Sequence, residues 1–345
     1  METIGNSFLK DLFMSNSIDK EFLDKNFSEL SRFAEYYEIP LHFWHCMDNK
    51  CCFANSYSKL ADENKVVIER FEREIERISK MLKINDVSYC ILVGIPFAKR
   101  YFPSEYMRIQ EDIDFFISTS DYEKVTVLMK DSGYDTIGEP PSKNRKHQVF
   151  INKGFKQHES SLSGRNIIKF YTSLTQEKYF KTKFEDFQSS IVSYGDFLVL
   201  DDTAALVQLI IHAHLYDMHP KVLGDIYMIC KNAKIDWNKF WYMAEKVNTI
   251  FLSAVLLSMM KCSFLVGNIS IPACLLTENV LIYEKKLSSQ EWWSRTFPKL
   301  SSEELTYHRA YLSGKKEYEQ VYSDDVNNNM CRRVGKQTEI FEFID

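Results

Sequence analysis

Apolar positions change their period twice along this chain, and the changes divide it into three stretches. Up to about residue 85 the pattern is helical. Its clearest segment is VVIERFEREIERISKMLK, where Ile68, Phe71, Ile75, Ile78 and Leu82 recur at spacings of three and four, as one buried helix face requires. Glu69–Arg73 and Arg70–Glu74 fall at i,i+4 on its polar face. The run VSYCILV (87–93) is then continuously apolar and β-branched at both ends, the pattern of a buried strand. Gly94 ends it, and Pro96 suits the first turn of a helix over PFAKRYF. A second strand is predicted over 112–117, within MRIQEDIDFFIS. STSDYEKVTVLMKDSG opens on an N-cap cluster and closes on Gly133, so it reads as a helix. HQVFI and FKQHESS flank NKG and predict a hairpin. From about 200 the helical pattern returns in DDTAALVQLIIHAHLY, KVLGDIYMICKNA and DWNKFWYMAEKVNTIFLSAVLLSMMKCSFLVG. Beyond about 285 it is mixed, with SDDVNNNMCRRVGKQ as a loop. The expected architecture is α+β, with a helical region over 1–85, a core over 86–200 and a second helical region over 201–345.

With 345 residues, 45% of them hydrophobic and 26% charged, the chain is long enough to bury a sizeable core. A formal charge of −5 argues against a general nucleic-acid or anionic-membrane binder. The eight cysteines are scattered and suggest no disulfide framework. METIGNSFLKDLFMSN lacks a basic region followed by an apolar core and cleavage site. Lys261 and several serines interrupt IFLSAVLLSMMKCSFLVG, which therefore reads as a buried helix and not a span. A cytoplasmic location with no membrane contact is expected.

Asp112 and Asp114 carry the candidate chemistry. One residue apart on a strand, they point to the same side while Ile113 points to the other. Two carboxylates so placed form a hard, oxygen-rich site suited to Mg²⁺, which binds phosphate oxygens at the same time. An isolated D-x-D also reads as a solvated strand start. Here its context adds to it. A strand ending in Gly94 and feeding a helix offers backbone N–H groups to an anion, and Arg108 precedes the aspartates. A phosphate cradle beside a metal site is what nucleotidyl transfer requires. One ion neutralises the triphosphate, and a second can lower the pKa of the attacking hydroxyl.

CILVGIPFAKRYFPSEYMRIQEDIDFFIS resembles the signature of the uncharacterised bacterial nucleotidyltransferases of the polymerase-β-like superfamily. That signature runs L-K-G, a short helix, a tyrosine and proline, then R-x-x-x-D-I-D. Gly94, Tyr101, Pro103, Arg108, Asp112, Ile113 and Asp114 fit it. LDDTAALVQLIIHAHLYD, Asp225 and IDWNKF resemble the same family's helical region, so the likeness covers about residues 20–260. It implies a small mixed sheet flanked by helices. It also implies Mg²⁺ held by Asp112 and Asp114 as the catalytic carboxylates, with a third carboxylate on a neighbouring strand. Gly94 would lie under the phosphates of an NTP, with ATP the expected one, and Arg108 would be a further nucleotide contact. His212 or His214 would line the cleft and touch nucleotide or acceptor. The acceptor would attack the α-phosphorus and release pyrophosphate. A small molecule, a peptide or a protein side chain are its expected classes, and the acidic balance makes RNA the least favoured.

Two departures matter. The family's L-K-G lysine falls at Val93, leaving Lys99 or Arg100 as replacements. The third carboxylate falls at Lys156, two before His158. Glu159 replaces it only if a bulge beside Gly154 turns it to the right face. The alternative reading is therefore a catalytically degenerate nucleotide-binding or partner-binding protein that retains the fold.

Other constellations carry less. HFWHCMDNKCC gathers His42, His45, Cys46, Cys51 and Cys52, but no second ligand pair at finger spacing follows. Among His212, His214, Asp217 and His219, a helix would place 212 and 219 on one face and rotate 214 away. Neither a Walker A lysine motif nor a G-x-G-x-x-G is present.

Overall fold

Tyr89–Ile91 (β1) and Ile113–Ile117 (β2) run antiparallel at the centre of a mixed sheet, with Ile91 opposite Phe115. The computed structural model describes residues 12, 20–36, 39–41, 43, 58–110, 112–137, 147–152, 167–175, 182–215 and 219–287. All of them fall in one compact unit built from 1–155 and 165–296. The other strands are Tyr134–Ile137 (β3), His147–Asn152 (β4), Ile167–Tyr171 (β5), Ile191–Tyr194 (β6) and Phe197–Leu200 (β7). Their order is β3-β4-β5-β2-β1-β7-β6. β5 lies parallel to β2, and β7 parallel to β1; the remaining pairs are antiparallel.

The α+β class with a mixed sheet flanked by helices is what the structure has, but several details differ from the sequence expectation. The first strand keeps three of its seven expected residues, and one more rung follows it, the Leu92 N–H donating to the Asp114 carbonyl at 2.9 Å, before the chain turns at Gly94. The expected 147–161 hairpin is replaced: both edges of β4 are taken, one by β3 and the other by β5. FKQHESS itself lies outside the described residues. β3, β5, β6 and β7 were not anticipated at all. They are only four or five residues long, too short for period alone to distinguish them from helix fragments.

The helical forecasts hold more closely. Lys20–Tyr36 (α1) and Ser58–Ile84 (α2) precede the sheet. Ile68, Phe71, Ile75, Ile78 and Leu82 on α2 pack with Ile113, Phe115 and Ile117 of β2 in one core cluster. Alternation along β2 therefore sends Phe116 the other way, against Phe184 and Phe187 of the short helix Phe184–Phe187 (α5). Ile95–Tyr101 (α3) leaves the end of β1, and Tyr122–Asp131 (α4) follows β2.

Asp202–Leu215 (α6), Pro220–Asn232 (α7), Trp237–Lys246 (α8), Ile250–Cys262 (α9) and Glu278–Leu287 (α10) complete the described helices. The long helical run expected from 236 to 267 breaks between α8 and α9. Asn248 adopts φ 64°, the left-handed turn that asparagine tolerates at a helix end, and the α9 ladder starts afresh after Thr249. As anticipated, α9 is a buried helix. No helix among the described residues is long and apolar enough to cross a membrane.

One ion pair ties the loop before β2 to α7. Arg108 donates from Nε to Asp225 Oδ1 at 2.9 Å and from Nη2 to Oδ2 at 2.9 Å. Their side chains are only 9% and 1% exposed. Asn64 of α2 donates to the carbonyls of Tyr106 and Arg108, fixing the same loop from the other side. Breaking such a pair from one side leaves a buried charge uncompensated. Arg108→Met is expected to cost about 3–5 kcal/mol in urea unfolding, and Arg108→Met/Asp225→Leu to recover much of it. A double variant no more stable than the single one would show that the loss comes from packing and not from the stranded carboxylate.

Candidate active site

Three strand ends meet beside the loop that carries Arg108: the exit of β1, the start of β2 and the start of β5. β1 ends in Leu92, Val93 and Gly94, and Gly94 holds φ 124° and ψ −141°. That backbone region is essentially reserved for glycine. A Cβ built there would meet Gln110 Oε1 at 3.5 Å, an ordinary contact, so conformation and not space demands the glycine. Gln110 is buried and held by Arg108, whose Nη1 donates to the Gln110 Oε1 at 3.1 Å. The guanidinium thus spans Asp225 and the amide that lies against the Gly94 turn.

Asp112 sits just before β2 and Asp114 within it. Asp114 is level with Lys169 in the parallel β2–β5 register, so the two side chains point to the same face. Lys169 Nζ reaches diagonally to Asp112 Oδ2 and forms an ion pair with it. This contact places Asp112, Asp114 and Lys169 together, as the D-x-D spacing requires of the two aspartates. The cluster is only partly open to water: the Asp112 side chain is 30% exposed, Lys169 is 15% exposed, and Asp114 Oδ1 is shielded from solvent. Lys169 was not recognised from sequence. Its signal is there, as the single charged residue in the strand IIKFY, but only the register assigns it a neighbour.

The cations considered as replacements for the missing L-K-G lysine are engaged elsewhere. Lys99 pairs with Glu72 of α2. Burial works against its charge, but the hydrogen bond and attraction of Glu72, helped by Glu105, more than offset it and hold its pKa above the ordinary lysine value. Arg100 pairs with Asp202 and donates to the Leu200 carbonyl at 2.8 Å, tying α3 to the β7–α6 junction. Tyr101, a residue of the motif, donates its hydroxyl to the same Asp202 at 2.6 Å. Burial first, and then the Asp202 carboxylate, push its phenol well above the usual tyrosine pKa, against a smaller opposing pull from Arg100.

A shallow groove beside these residues is lined by Leu92, Val93, Phe97, Arg100, Leu200 and Gln208, among others. His212 is half-buried on α6, one turn beyond Gln208 and on the same side of that helix. His214 belongs to α6 too, but its side chain lies outside the description, as does all of Asp217. His219 caps α7, accepting at Nδ1 from the Lys221 N–H at 3.3 Å. Lys156, His158 and Glu159 lie outside the described residues, as do His42, His45, Cys46, Cys51 and Cys52. Among the described residues, no group of three or more His, Cys, Asp or Glu is placed to hold a metal.

A family model described as an uncharacterised nucleotidyltransferase matches residues 25–264, well over half the chain. The protein belongs to this nucleotidyltransferase family. No curated protein matches the sequence. The family match spans the Gly94 turn, both aspartates, Lys169, Asp225 and α6, so every residue brought together above falls within it.

Two outcomes follow from this geometry. Gly94→Ala is expected to lose about 1–3 kcal/mol in thermal or chemical unfolding through backbone strain; an unchanged stability would mean that the turn relaxes. Because the Tyr101 pKa is raised on folding, its contribution is intact below the unfolded value near 10 and falls as pH rises beyond it. Stability measured from pH 9 to 11 should therefore decline less steeply in Tyr101→Phe than in the native protein.

Proposed function

We propose that this protein is a divalent-metal-dependent nucleotidyltransferase that transfers a nucleoside monophosphate from an NTP, with ATP the expected one, to a small-molecule, peptide or protein acceptor. The observation that carries this reading is the pairing of Asp112 and Asp114 on one face of the sheet, at the start of its middle strand and next to the Gly94 turn. The donor set fits one Mg²⁺. That ion commonly takes one or two carboxylates and completes its shell with water and substrate phosphates. Held by Asp112 and Asp114, it would supply charge neutralisation of the triphosphate.

The chain's own residues supply the rest. The Gly94 turn would offer its backbone to the phosphates, and the Gln110 amide lies against that turn. Arg108 acts as a positioning residue for Gln110, since its guanidinium is committed to Asp225 and to that amide. Lys99 and Arg100 hold α3 in place through Glu72 and Asp202. His212 and His214, on the helix that borders the groove, are assigned to the nucleotide or acceptor side. In the reaction the acceptor oxygen bonds to the α-phosphorus, the bond from that phosphorus to its bridging oxygen breaks, and pyrophosphate leaves. The acceptor's proton passes to water.

A second reading, a nucleotide-binding protein without transfer activity, is favoured by the ammonium of Lys169 on Asp112. Calorimetry with a non-hydrolysable ATP analogue, with and without Mg²⁺, tests both. Mg²⁺-dependent binding is expected in the native protein, with at least a tenfold loss in Asp112→Asn/Asp114→Asn. Undiminished binding in that variant would move the nucleotide elsewhere. Binding in the native protein without pyrophosphate release from ATP across an acceptor panel would select the second reading.

A further inference from the structure

We infer that Lys169 takes the place of a second divalent ion, so that this site works with one metal ion and a tethered ammonium. The inference rests on the nucleotidyl-transfer reading above and specifies how its charge is arranged. Two carboxylates on one face can hold two metal ions with a triphosphate only if enough anionic oxygens surround them. Here one of those oxygens, Asp112 Oδ2, is already occupied by Lys169 Nζ. In the parallel register β5 places a lysine level with Asp114, on the same face as both aspartates.

Lys169 is fixed in this role by its surroundings. Its neighbours Ile168 and Phe170 are fully buried on the opposite face, and Phe170 stacks on Phe115 with ring centroids 5.1 Å apart. Strand β5 is hydrogen-bonded on both sides, to β2 and to β4. The backbone therefore cannot shift to withdraw the side chain, and the side chain itself is largely covered.

Charge gives the consequence. The two aspartates contribute two negative charges and Lys169 returns one positive charge. A single divalent ion against Asp114 and the remaining Asp112 oxygen over-neutralises what is left, and the triphosphate balances the excess. A second divalent ion would have to sit beside an ammonium, repelled by it and deprived of the oxygen it holds. Unlike a metal ion, the ammonium needs no ligand sphere and no recruitment from solution. It donates hydrogen bonds but offers no open coordination position to an incoming hydroxyl.

Counting bound ions tests this without reference to activity. The full chain, saturated with a non-hydrolysable ATP analogue, is dialysed to equilibrium against Mn²⁺, and the bound ion is counted by electron paramagnetic resonance. One Mn²⁺ per chain is expected in the native protein. Lys169→Glu, which supplies a third carboxylate at the same register position, is expected to bind two. Lys169→Gln, which removes only the charge, should bind a second ion at least tenfold more weakly than the first. Circular dichroism confirms the fold of each variant, and the glutamine variant decides the matter if the glutamate one does not fold. Two ions in the native protein would overturn the inference while leaving the nucleotidyl-transfer reading standing, as would a folded Lys169→Glu that still binds one. Failure of the native chain to bind Mn²⁺ together with the analogue would defeat that reading itself, and this inference with it.

Discussion

The buried guanidinium of Arg108 is tolerable only because Asp225 lies against it, and that requirement links most of what surrounds the site. Both groups are almost wholly removed from water, where an unpaired charge would be severely destabilising. The loop from Tyr106 to Gln110 must therefore stay in register with α7, while Asn64 of α2 holds its carbonyls. Because the same guanidinium also holds Gln110, the position of the Gly94 turn is coupled to a helix more than one hundred residues further along the chain. A buried ion pair is weak as a source of stability. Its value here is in specifying one docking of the helical layer against the edge of the sheet.

Charge around the aspartates is arranged with few spare cations. Lys99, Arg100 and Arg108 all come from the motif or its helix, and each meets a carboxylate on another element: Glu72, Asp202 and Asp225. They brace α3 and the following loop against α2, α6 and α7. Among the described residues, Lys169 is the cation shown in an ion pair with Asp112. A protein of this nucleotidyltransferase family has thus placed an ammonium among its carboxylates and turned the motif's other cations into struts. The repulsion between Asp112 and Asp114 is relieved within the chain, before any ligand binds.

The period of the apolar residues was enough to locate the helices. α2 followed from five apolar residues at spacings of three and four, and β2 from an apolar run opened by two same-side aspartates; both stand as read. The family likeness was also legible, since glycine, arginine and D-I-D at fixed spacing are local features. What escaped was set by pairing between distant strands. IIKFY and FLVL are strands of five and four residues whose period is uninformative, and they form only because β2 and β1 give them partners. The neighbouring strand was accordingly sought at 155–161, whereas the partner of β2 on that side is 167–171.

By itself, then, the sequence determined the local conformations and the residue types available for chemistry: a glycine turn, two carboxylates on one face, and basic residues close by. Only the tertiary structure decided which cation meets which anion. Ion pairing depends on register and on helix docking, and both arise from burying apolar faces contributed by segments far apart in the chain. Reading along the chain offered Arg108, and Lys99 or Arg100 in place of the lysine missing at Val93, as the cations nearest the phosphates. The sheet instead brought a lysine from β5 to Asp112 and carried the motif's own cations to Glu72, Asp202 and Asp225.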